Sequence, residues 1–364
     1  MRHGLKLAIT LMMIVALLAG CNPAIAVTTQ PTQTTASPAV TASSTAAPTA
    51  LPTEAATPSP SPSQTVKATA TESAAPVSPK PTVNRLADLP DPGLWAATLK
   101  LDPKDYPKVD GSTATLPLAI FARSKVTGET LEQSDAVTHF TTTGPSWIAL
   151  SERAADLLIV YEAPDEIKKQ LADKGAKLLS KPIGLDALVF LTNKGNHVDS
   201  LTHQQLLDIY TGKITRWNQV GGKKIEIIPY QRVSNSGSQA LMKKLVMKDI
   251  KMMDAPTILK PSEMDDLLDA VAQYDNSSNA LGYSVYYYVR NMYKVPGVKL
   301  LAINGVLPSP ESIASHKYPY INPFYAVIRE NEPADSPTHK LFDWLTGSEG
   351  AKAVKDAGYV SAKP

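Results

Sequence analysis

Apolar runs with branched side chains alternate with amphipathic segments along most of the chain after residue 86. The run 155–161 is typical of a strand that is buried on both faces, and segment 166–174 has the periodicity of a helix. Further strands are predicted at 178–184, 187–191 and 324–328, and further helices at 202–211, 263–273 and 336–356. Strands that alternate with helices predict an α/β fold with mostly parallel sheets.

A turn between a predicted strand, 224–229, and a predicted helix, 240–247, carries candidate chemistry. The start of a helix has unpaired N–H groups and the positive end of the helix dipole. Small residues there let an anion approach the backbone, hydroxyls add donors, and an arginine adds a planar fork of N–H groups. The turn therefore predicts a site for a tetrahedral oxyanion, although it also fits a serine-capped helix beside an exposed arginine. The candidate residues are Arg232, Ser236, Gly237 and Ser238.

A second turn of this kind precedes the helical pattern at 116–121. Ser112 and Thr113 stand at the predicted start of that helix, and Gly111 before them allows close approach of an anion. A capped helix without a ligand is again the alternative. Two such turns, far apart in the chain, can face each other across a cleft and enclose one anion.

Glu162 directly follows the predicted strand 155–161. Open α/β sheets bind their ligands at the carboxyl ends of the strands. An ionised carboxylate only accepts hydrogen bonds, so it repels a fully deprotonated anion but accepts a bond from a protonated one. Glu162 is thus either a residue that selects the ligand or a surface glutamate at the start of a loop.

The N-terminal segment predicts export. Residues 1–6 are basic, residues 7–18 are apolar but short for a membrane span, and small residues precede Cys21, the single cysteine of the chain. Residues 1–20 are therefore predicted to be a signal peptide, and its end resembles a bacterial lipoprotein signal, in which Cys21 becomes the lipidated first residue. An ordinary signal peptide with an incidental Cys21 is the alternative. One cysteine allows no internal disulfide.

Residues 21–85 are rich in Thr, Ser, Pro and Ala, and residues 22–84 contain neither an aromatic residue nor glycine. Such a segment buries too little apolar surface to offset the entropy of ordering, so it is predicted to be a disordered stalk. We expect it to act as a spacer that holds the domain 86–364 away from a membrane.

The charge balance argues against some classes of function. The chain has 36 basic and 34 acidic side chains, and without Arg2 and Lys6 of the signal 34 of each sign remain. A neutral exported chain gives no support to nucleic-acid binding, and any anion site must be local. The histidines form no ligand-spaced pair and no Gly-x-Ser-x-Gly turn is present, so we expect no metal, no cofactor and no catalysis.

Several stretches occur in the order found in the phosphate-binding proteins of bacterial ABC transporters, which the globular part resembles over essentially its whole length. The most specific are the segment 201–217 and the spacing from Arg232 to Ser236-Gly237-Ser238. The other stretches are 110–113, 161–164, 181–187, 280–283 and 318–325.

This resemblance implies a type II periplasmic-binding-protein-like fold, with two lobes joined by a hinge of two crossing strands. Lobe one is expected at 86–187 plus 322–364, and lobe two at 188–321. Lobe one would contribute Ser112, Thr113 and Glu162 to the ligand site, and lobe two would contribute Arg232, Ser236, Gly237 and Ser238.

The resemblance also implies a function. We expect capture of inorganic phosphate, or a similar oxyanion, for an ABC permease by an extracellular protein that is anchored in the cell membrane through lipid on Cys21. A sensory or adhesive surface lipoprotein with the same fold is the alternative. The family usually has aspartate at the position of Glu162 and often threonine at that of Ser238, so oxyanion binding is better supported than selectivity for phosphate.

Overall fold

The computed structural model describes residues 82–86, 88–248, 250–273 and 279–363, which form a mixed α/β fold. The helices are α1 Leu116–Thr127, α2 Leu131–Val137, α3 Thr143–Ser151, α4 Asp165–Asp173, α5 His203–Tyr210, α6 Gly237–Leu241, α7 Met264–Gln273, α8 Pro310–Ala314, α9 Pro337–Thr346 and α10 Ser348–Asp356. The strands are β1 Val109–Gly111, β2 Leu157–Tyr161, β3 Leu178–Asn193, β4 Ser200–Leu201, β5 Ile228–Pro229, β6 Ala280–Val285, β7 Val298–Leu300, β8 Ala302–Ile303, β9 Ile321–Arg329 and β10 Val360–Ser361. The predicted signal peptide, Cys21 and the stalk up to residue 81 lie outside these residues.

The long strand β3 connects two groups of strands. Its first part, 178–187, pairs with β9, and β9 pairs in turn with β2 and, through it, with β1. Its second part, 188–193, pairs with β6 and β7, and β6 pairs with β5. The register between β3 and β9 shifts between Pro182 and Gly184. Because β3 changes partner between Ala187 and Leu188, the chain passes from one group of strands to the other at that point.

Strand β2 is buried on both faces, as its continuous apolar sequence predicts. Leu157, Ile159 and Tyr161 pack into the main hydrophobic core, while Leu158 and Val160 pack into a smaller cluster that includes Trp147 of α3 and Leu171 of α4. Burial of each such aliphatic side chain stabilises the fold by about 1.5–3 kcal/mol. This two-sided packing fixes the end of β2, from which the candidate site is built.

The predicted α/β class is confirmed, but the strand pairing is mixed rather than mostly parallel. The pairs β1–β2, β5–β6 and β4–β8 are parallel, whereas β3 and β9 run antiparallel to each other and to their other neighbours. The two strands expected at 178–184 and 187–191 form the single strand β3. The helix expected at 336–356 is interrupted at Gly347, between α9 and α10.

The first described residues already contact the domain, although they were expected to end the stalk. The Asn84 N–H donates to the carbonyl of Met292 at 2.7 Å, and the Arg85 guanidinium forms an ion pair with Asp135 at 2.9 Å. Val83 packs against the main core. Within the described part of the chain, none of the helices has the length and apolar character that crossing a bilayer requires.

Candidate oxyanion site

A cavity of about 270 Å³ brings together most of the residues that the sequence predicts for a site. Its size suits a small ligand. The predicted residues in its wall are Ser112, Thr113, Arg232, Ser236, Gly237 and Ser238. The wall also contains residues that the sequence analysis did not assign: Ala114, Thr142, Thr143, Tyr161, Val233, Asn235, Ser262, Glu263, Met264, Asp265 and Tyr288.

Ser112 and Thr113 lie at the start of a 3₁₀ turn, Thr113–Thr115, which leads into α1. The Ser112 hydroxyl accepts a hydrogen bond of 3.0 Å from the Tyr161 N–H, so its own hydrogen remains available for donation. The N–H groups that open such a turn have no partner within it. Gly111 serves a different purpose from the predicted one, because an added Cβ atom would lie 1.9 Å from the Ile159 carbonyl oxygen of β2, not against a ligand.

Helix α3 supplies a third helix start that the sequence analysis missed. Its first residue, Thr143, lies in the cavity wall, and its hydroxyl oxygen is 2.8 Å from that of Ser112. Three threonines followed by Gly144-Pro145 have the composition of a turn, so the sequence pattern did not predict a helix there. The available signal was the proline, since the first turn of a helix tolerates proline before an apolar segment.

Helix α6 brings the second predicted turn to the same cavity. Ser236 is its N-cap and accepts a 3.1 Å hydrogen bond from the Gln239 N–H. A Cβ atom on Gly237 would lie 2.5 Å from the Thr143 hydroxyl oxygen, so glycine allows the starts of α6 and α3 to meet. The two predicted turns therefore line one cavity, and Thr143 at the start of α3 lies close to both.

Arg232 is buried, with 5% of its surface exposed, which differs from the exposed arginine of the alternative interpretation. Its Nε donates to the Pro261 carbonyl at 3.0 Å and its Nη2 to the Ser262 carbonyl at 2.6 Å, while Nη1 lies 3.5 Å from the Ser238 hydroxyl. Of the five guanidinium N–H groups, two remain for a ligand after these three contacts. The backbone of residues 261–262 thus holds the guanidinium in a fixed plane.

Burial lowers the pKa of Arg232, and the nearby Tyr283 and Glu263 act against this shift. A guanidinium keeps its charge in proteins, so the cavity contains a cation that is largely removed from water. Tyr283 itself is buried in the core and accepts a 3.1 Å hydrogen bond from the Arg232 N–H. It positions Arg232 and does not line the cavity.

Tyr288 adds an aromatic wall, with 2% of its surface exposed. Burial raises the pKa of its phenol well above the usual value, followed in importance by the charge of Asp265. The hydroxyl therefore stays protonated at neutral pH and keeps its ability to donate. No sequence motif singled out this residue, because buried tyrosines are common in cores.

Glu162 does not line this cavity. Its carboxylate accepts a 2.6 Å hydrogen bond from the Lys168 ammonium and forms a second ion pair with Lys244. Partial burial acts to raise the pKa of Glu162, but the bonds from Lys168 and Lys244 outweigh burial and hold the pKa below its usual range. Tyr161, the last residue of β2, is among the residues that line the cavity, whereas Glu162 is held outside it by the two lysines.

The described residues include no cluster of histidine, cysteine, aspartate and glutamate side chains with the geometry of a metal site. The cavity wall instead combines a set of hydrogen-bond donors, namely hydroxyls, helix starts and one guanidinium, with the carboxylates of Glu263 and Asp265. Such a set suits a small oxyanion that binds without covalent change.

Comparison with curated proteins finds relatives with a common name. The chain is 26% identical over 203 residues to the phosphate-binding protein PstS of Borreliella burgdorferi, a match that covers 54% of this chain and 70% of the relative. It is 29% identical over 207 residues to the phosphate-binding protein PstS of Staphylococcus epidermidis, where the match covers 54% of this chain and 61% of the relative. The chain thus spans less than two thirds of the staphylococcal protein.

Two solved structures have a similar fold. One is a candidate phosphate ABC transporter substrate-binding protein with bound phosphate from Clostridium perfringens, with a TM-score of 0.54, 22% identity, and coverage of 70% of this chain and 98% of the other. The second is an ABC-type phosphate transport receptor from Vibrio cholerae, with a TM-score of 0.52, 22% identity, and coverage of 69% and 98%. At this identity the structures establish the fold alone.

The sequence also matches a protein family directly. Residues 102–349, which are more than half of the chain, match the family described as PBP superfamily domain. This range contains the cavity and both of the turns that the sequence analysis singled out. The two-lobed α/β fold that the resemblance implied agrees with this match and with the solved structures. The chain therefore belongs to the family described as PBP superfamily domain.

Proposed function

We propose that this protein captures inorganic phosphate outside the cell and delivers it to an ABC transporter. The observation that carries the proposal is the convergence of three helix starts and the buried guanidinium of Arg232 on one small cavity. The names of the relatives support phosphate as the ligand. Their description as binding proteins favours capture over catalysis, and over a purely sensory or adhesive role.

The cavity residues would share the work of binding. Arg232 would place two N–H groups on two oxygens of the anion, and the starts of α1, α3 and α6 would add backbone N–H groups. The hydroxyls of Thr113, Thr143 and Ser238 would complete the set of donors, and Ser112 would act through its hydrogen bond to Thr143. Each bond to a charged ligand contributes about 1.5–3 kcal/mol, and the exclusion of water strengthens it.

The proposal includes two lobes, 86–187 with 322–364 and 188–321, that close on the ligand. The change of partner in β3 between Ala187 and Leu188 supports this division. So does the distribution of the cavity wall, because Ser112 and Thr143 belong to lobe one and Arg232 and Ser238 to lobe two. Closure of such lobes around a ligand is a common hinge movement.

The test compares Arg232→Ala with Ser234→Ala by isothermal titration with phosphate. Ser234 is exposed and does not line the cavity, so it is a matched control from the same turn. We expect Arg232→Ala to weaken binding on the order of 100-fold or more, since loss of a buried charged partner costs about 2–5 kcal/mol. Arg232→Lys keeps the charge but loses the fork, and we expect an intermediate loss.

Thermal unfolding without phosphate shows whether each variant is folded. Equal losses of affinity in folded Arg232→Ala and Ser234→Ala would refute the assigned roles. If the unaltered protein is not stabilised by millimolar phosphate, the proposed ligand is wrong, because a ligand that binds the folded state alone must raise the unfolding temperature.

We further propose that lipid on Cys21 anchors the protein on the extracellular face of the cell membrane, with residues 21–85 as the spacer. The support is the short apolar segment before Cys21 and its position as the only cysteine. The test is metabolic labelling with a palmitate analogue in a bacterial host, comparing the unaltered chain with Cys21→Ala. We expect label only in the unaltered chain, and release of Cys21→Ala into the medium.

A further inference from the structure

Asp186 is a buried carboxylate that lies where the two proposed lobes meet. It precedes the point between Ala187 and Leu188 at which β3 changes partner, and 2% of its surface is exposed. Burial raises the pKa of this carboxyl to about 6, so at pH 7.5 the side chain is mainly ionised and only accepts hydrogen bonds. Asp186 does not line the cavity, so any effect on a ligand must act through its neighbours.

The two oxygens of this carboxylate accept hydrogen bonds from both proposed lobes. Oδ2 accepts a 2.7 Å bond from the hydroxyl of Tyr161, which belongs to lobe one and lines the cavity. Oδ1 accepts a 3.1 Å bond from the N–H of Tyr287, which belongs to lobe two. Tyr287 is the N-cap of the π-helical segment Tyr288–Met292, and Tyr288 lines the cavity. One side chain therefore connects the walls that the two lobes contribute.

Two tyrosine rings join the lobes at the same place. Tyr287 of lobe two and Tyr359 of lobe one are stacked, with ring centroids 3.5 Å apart and an angle of 6° between the planes. The Tyr359 hydroxyl donates to the Ala114 carbonyl at 2.7 Å, and Ala114 lines the cavity directly after Thr113. Both rings are buried, so a displacement at this point is passed on to groups beside the ligand space.

We propose that Asp186 is a positioning residue for the oxyanion site, which sets the distance between the walls of the two lobes. This inference rests on the proposed function and deepens it, because it assigns the residue that connects the two parts of the site. Groups that bind a ligand must be held to within about 0.5 Å by neighbours that are themselves fixed. Tyr161 needs such a neighbour, because its own N–H holds the Ser112 hydroxyl at 3.0 Å.

The experiment measures phosphate binding by isothermal titration at pH 7.5 in Asp186→Asn, Tyr161→Phe and the double variant. In Asp186→Asn an amide N–H₂ replaces the acceptor of the Tyr161 hydroxyl, and in Tyr161→Phe the carboxylate loses its donor. We expect each single variant to bind about 10-fold more weakly, the effect of one hydrogen bond to a charged group. The double variant should also lose about 10-fold rather than about 100-fold, because both substitutions remove the same contact.

Asp269→Asn and Tyr293→Phe are the matched controls. Asp269 is also buried, and it accepts a 2.8 Å hydrogen bond from the Tyr293 hydroxyl. Both residues belong to the proposed lobe two, and neither lines the cavity. These substitutions remove a buried contact of the same kind but leave the connection between the lobes intact. We therefore expect both controls to bind phosphate within a factor of about 2 of the unaltered protein.

A spectroscopic signal distinguishes displacement of the wall from a general loss of stability. The Trp147 indole N–H donates to the Tyr161 carbonyl at 3.1 Å, so its signal in a proton–nitrogen NMR spectrum reports on the position of Tyr161. Without phosphate, we expect this signal to shift in Asp186→Asn and to stay unchanged in Asp269→Asn. Trp147→Phe identifies the signal among those of the four tryptophans of the chain.

The outcomes separate this inference from the proposed function. If the unaltered protein does not bind phosphate, the proposed function fails. If it binds phosphate and both Asp186→Asn and Tyr161→Phe keep its affinity, only the role of Asp186 is wrong. Equal losses of affinity in Asp186→Asn and Asp269→Asn, additive losses in the double variant, or an unmoved Trp147 signal also overturn that role.

Thermal unfolding without phosphate shows whether each variant is folded. Should Asp186→Asn fail to fold, the comparison of Tyr161→Phe with Tyr293→Phe decides, by affinity and by the Trp147 signal. A loss of affinity and a shifted signal in Tyr161→Phe alone support the role of Asp186. Equal behaviour of these two variants overturns it.

Discussion

The hydroxyl oxygens of Ser112 and Thr143 lie 2.8 Å apart in the wall of the cavity. Because the Ser112 oxygen already accepts a bond from the Tyr161 N–H, Ser112 can direct its hydrogen toward Thr143. The Thr143 hydrogen is then available to a ligand. Two side chains from distant segments thus form a chain of donors that ends in the cavity.

This relationship predicts that Thr143→Ala weakens phosphate binding about 10-fold. The expected loss corresponds to about 1.5 kcal/mol, the lower value for a hydrogen bond to a charged group. Thr143→Ser keeps the hydroxyl and should bind within a factor of about 2 of the unaltered protein. Titration calorimetry measures all three proteins, and unchanged binding by Thr143→Ala would show that this hydroxyl does not reach the ligand.

A second prediction concerns the ion pair between Glu162 and Lys244. Glu162 follows β2, and Lys244 lies in the π-helical segment Met242–Met247 that continues α6, so the pair joins the two proposed lobes. A second pair, Glu166 with Lys243 at 3.6 Å, lies beside it. Both pairs are partly exposed, and pairs of this kind contribute at most about 1 kcal/mol.

Glu162→Gln should therefore weaken phosphate binding by less than about 5-fold, and Lys244→Gln should have the same effect. The double variant should bind like either single variant, because both remove one interaction. If Glu162 were instead the acceptor of the ligand proton, as the sequence analysis suggested, Glu162→Gln alone would lose selectivity and Lys244→Gln would not. Calorimetry of the three variants with phosphate and sulfate distinguishes these roles.

The comparison of sequence and structure shows which features local patterns can predict. Strand β2 was predicted because both of its faces are buried, which leaves a continuous apolar run. The turn from Arg232 to Ser238 was predicted because small hydroxyl residues before a helix have a defined physical role. In both cases the signal and the structure involve the same few residues.

The features of the site that the sequence did not predict depend on contacts between distant residues. Glu162 has the sequence position of a site residue, but its carboxylate pairs with Lys168 and Lys244 and does not line the cavity. Asp265 has the sequence position of an ordinary acid in a first helical turn, which favours helices everywhere. Only the packing of residues 261–262 against Arg232 brings it to the cavity. The pattern of one segment contains no information on these contacts.

A third prediction concerns the pH dependence of stability. Asp186 is buried in β3, where it accepts hydrogen bonds from the Tyr161 hydroxyl at 2.7 Å and from the Ala187 and Tyr287 N–H groups at 2.7 and 3.1 Å. Burial raises the pKa of this carboxyl to about 6, and the hydrogen bonds act against burial. The folded state thus holds a proton that the unfolded state releases, since an exposed aspartate has a pKa of about 3.9.

The direction in which stability changes with pH follows from this difference in pKa. The stability that Asp186 contributes is fully present below the unfolded pKa and is lost as the pH rises through the folded value, from about 4 to about 6. The free energy of unfolding of the unaltered protein minus that of Asp186→Asn should therefore fall by about 2–3 kcal/mol between pH 4 and pH 7. Urea unfolding at several pH values measures it, and a difference that rises with pH would contradict the assignment.

The last prediction concerns Gly184, at the register shift between β3 and β9. A Cβ atom on this residue would lie 2.1 Å from the ring of Phe324, which is fully buried. The ring also packs edge-to-face against Tyr161 and Tyr359, with centroid distances of 6.4 and 5.3 Å, so it has little room to move. Gly184→Ala should therefore lower the free energy of unfolding by about 1–3 kcal/mol, the usual cost of overpacking.

Phe324→Leu in the Gly184→Ala background provides the control, because a smaller side chain makes room for the added methyl. Each single substitution should destabilise the protein, the first by overpacking and the second by leaving a void. The double variant should be more stable than the sum of the two losses predicts, with a coupling of at least about 1 kcal/mol. If the losses simply add, the contact between Gly184 and Phe324 does not determine the residue at this position. Since β3 passes from one proposed lobe to the other, such a result would also remove the structural reason for a glycine at this point of β3.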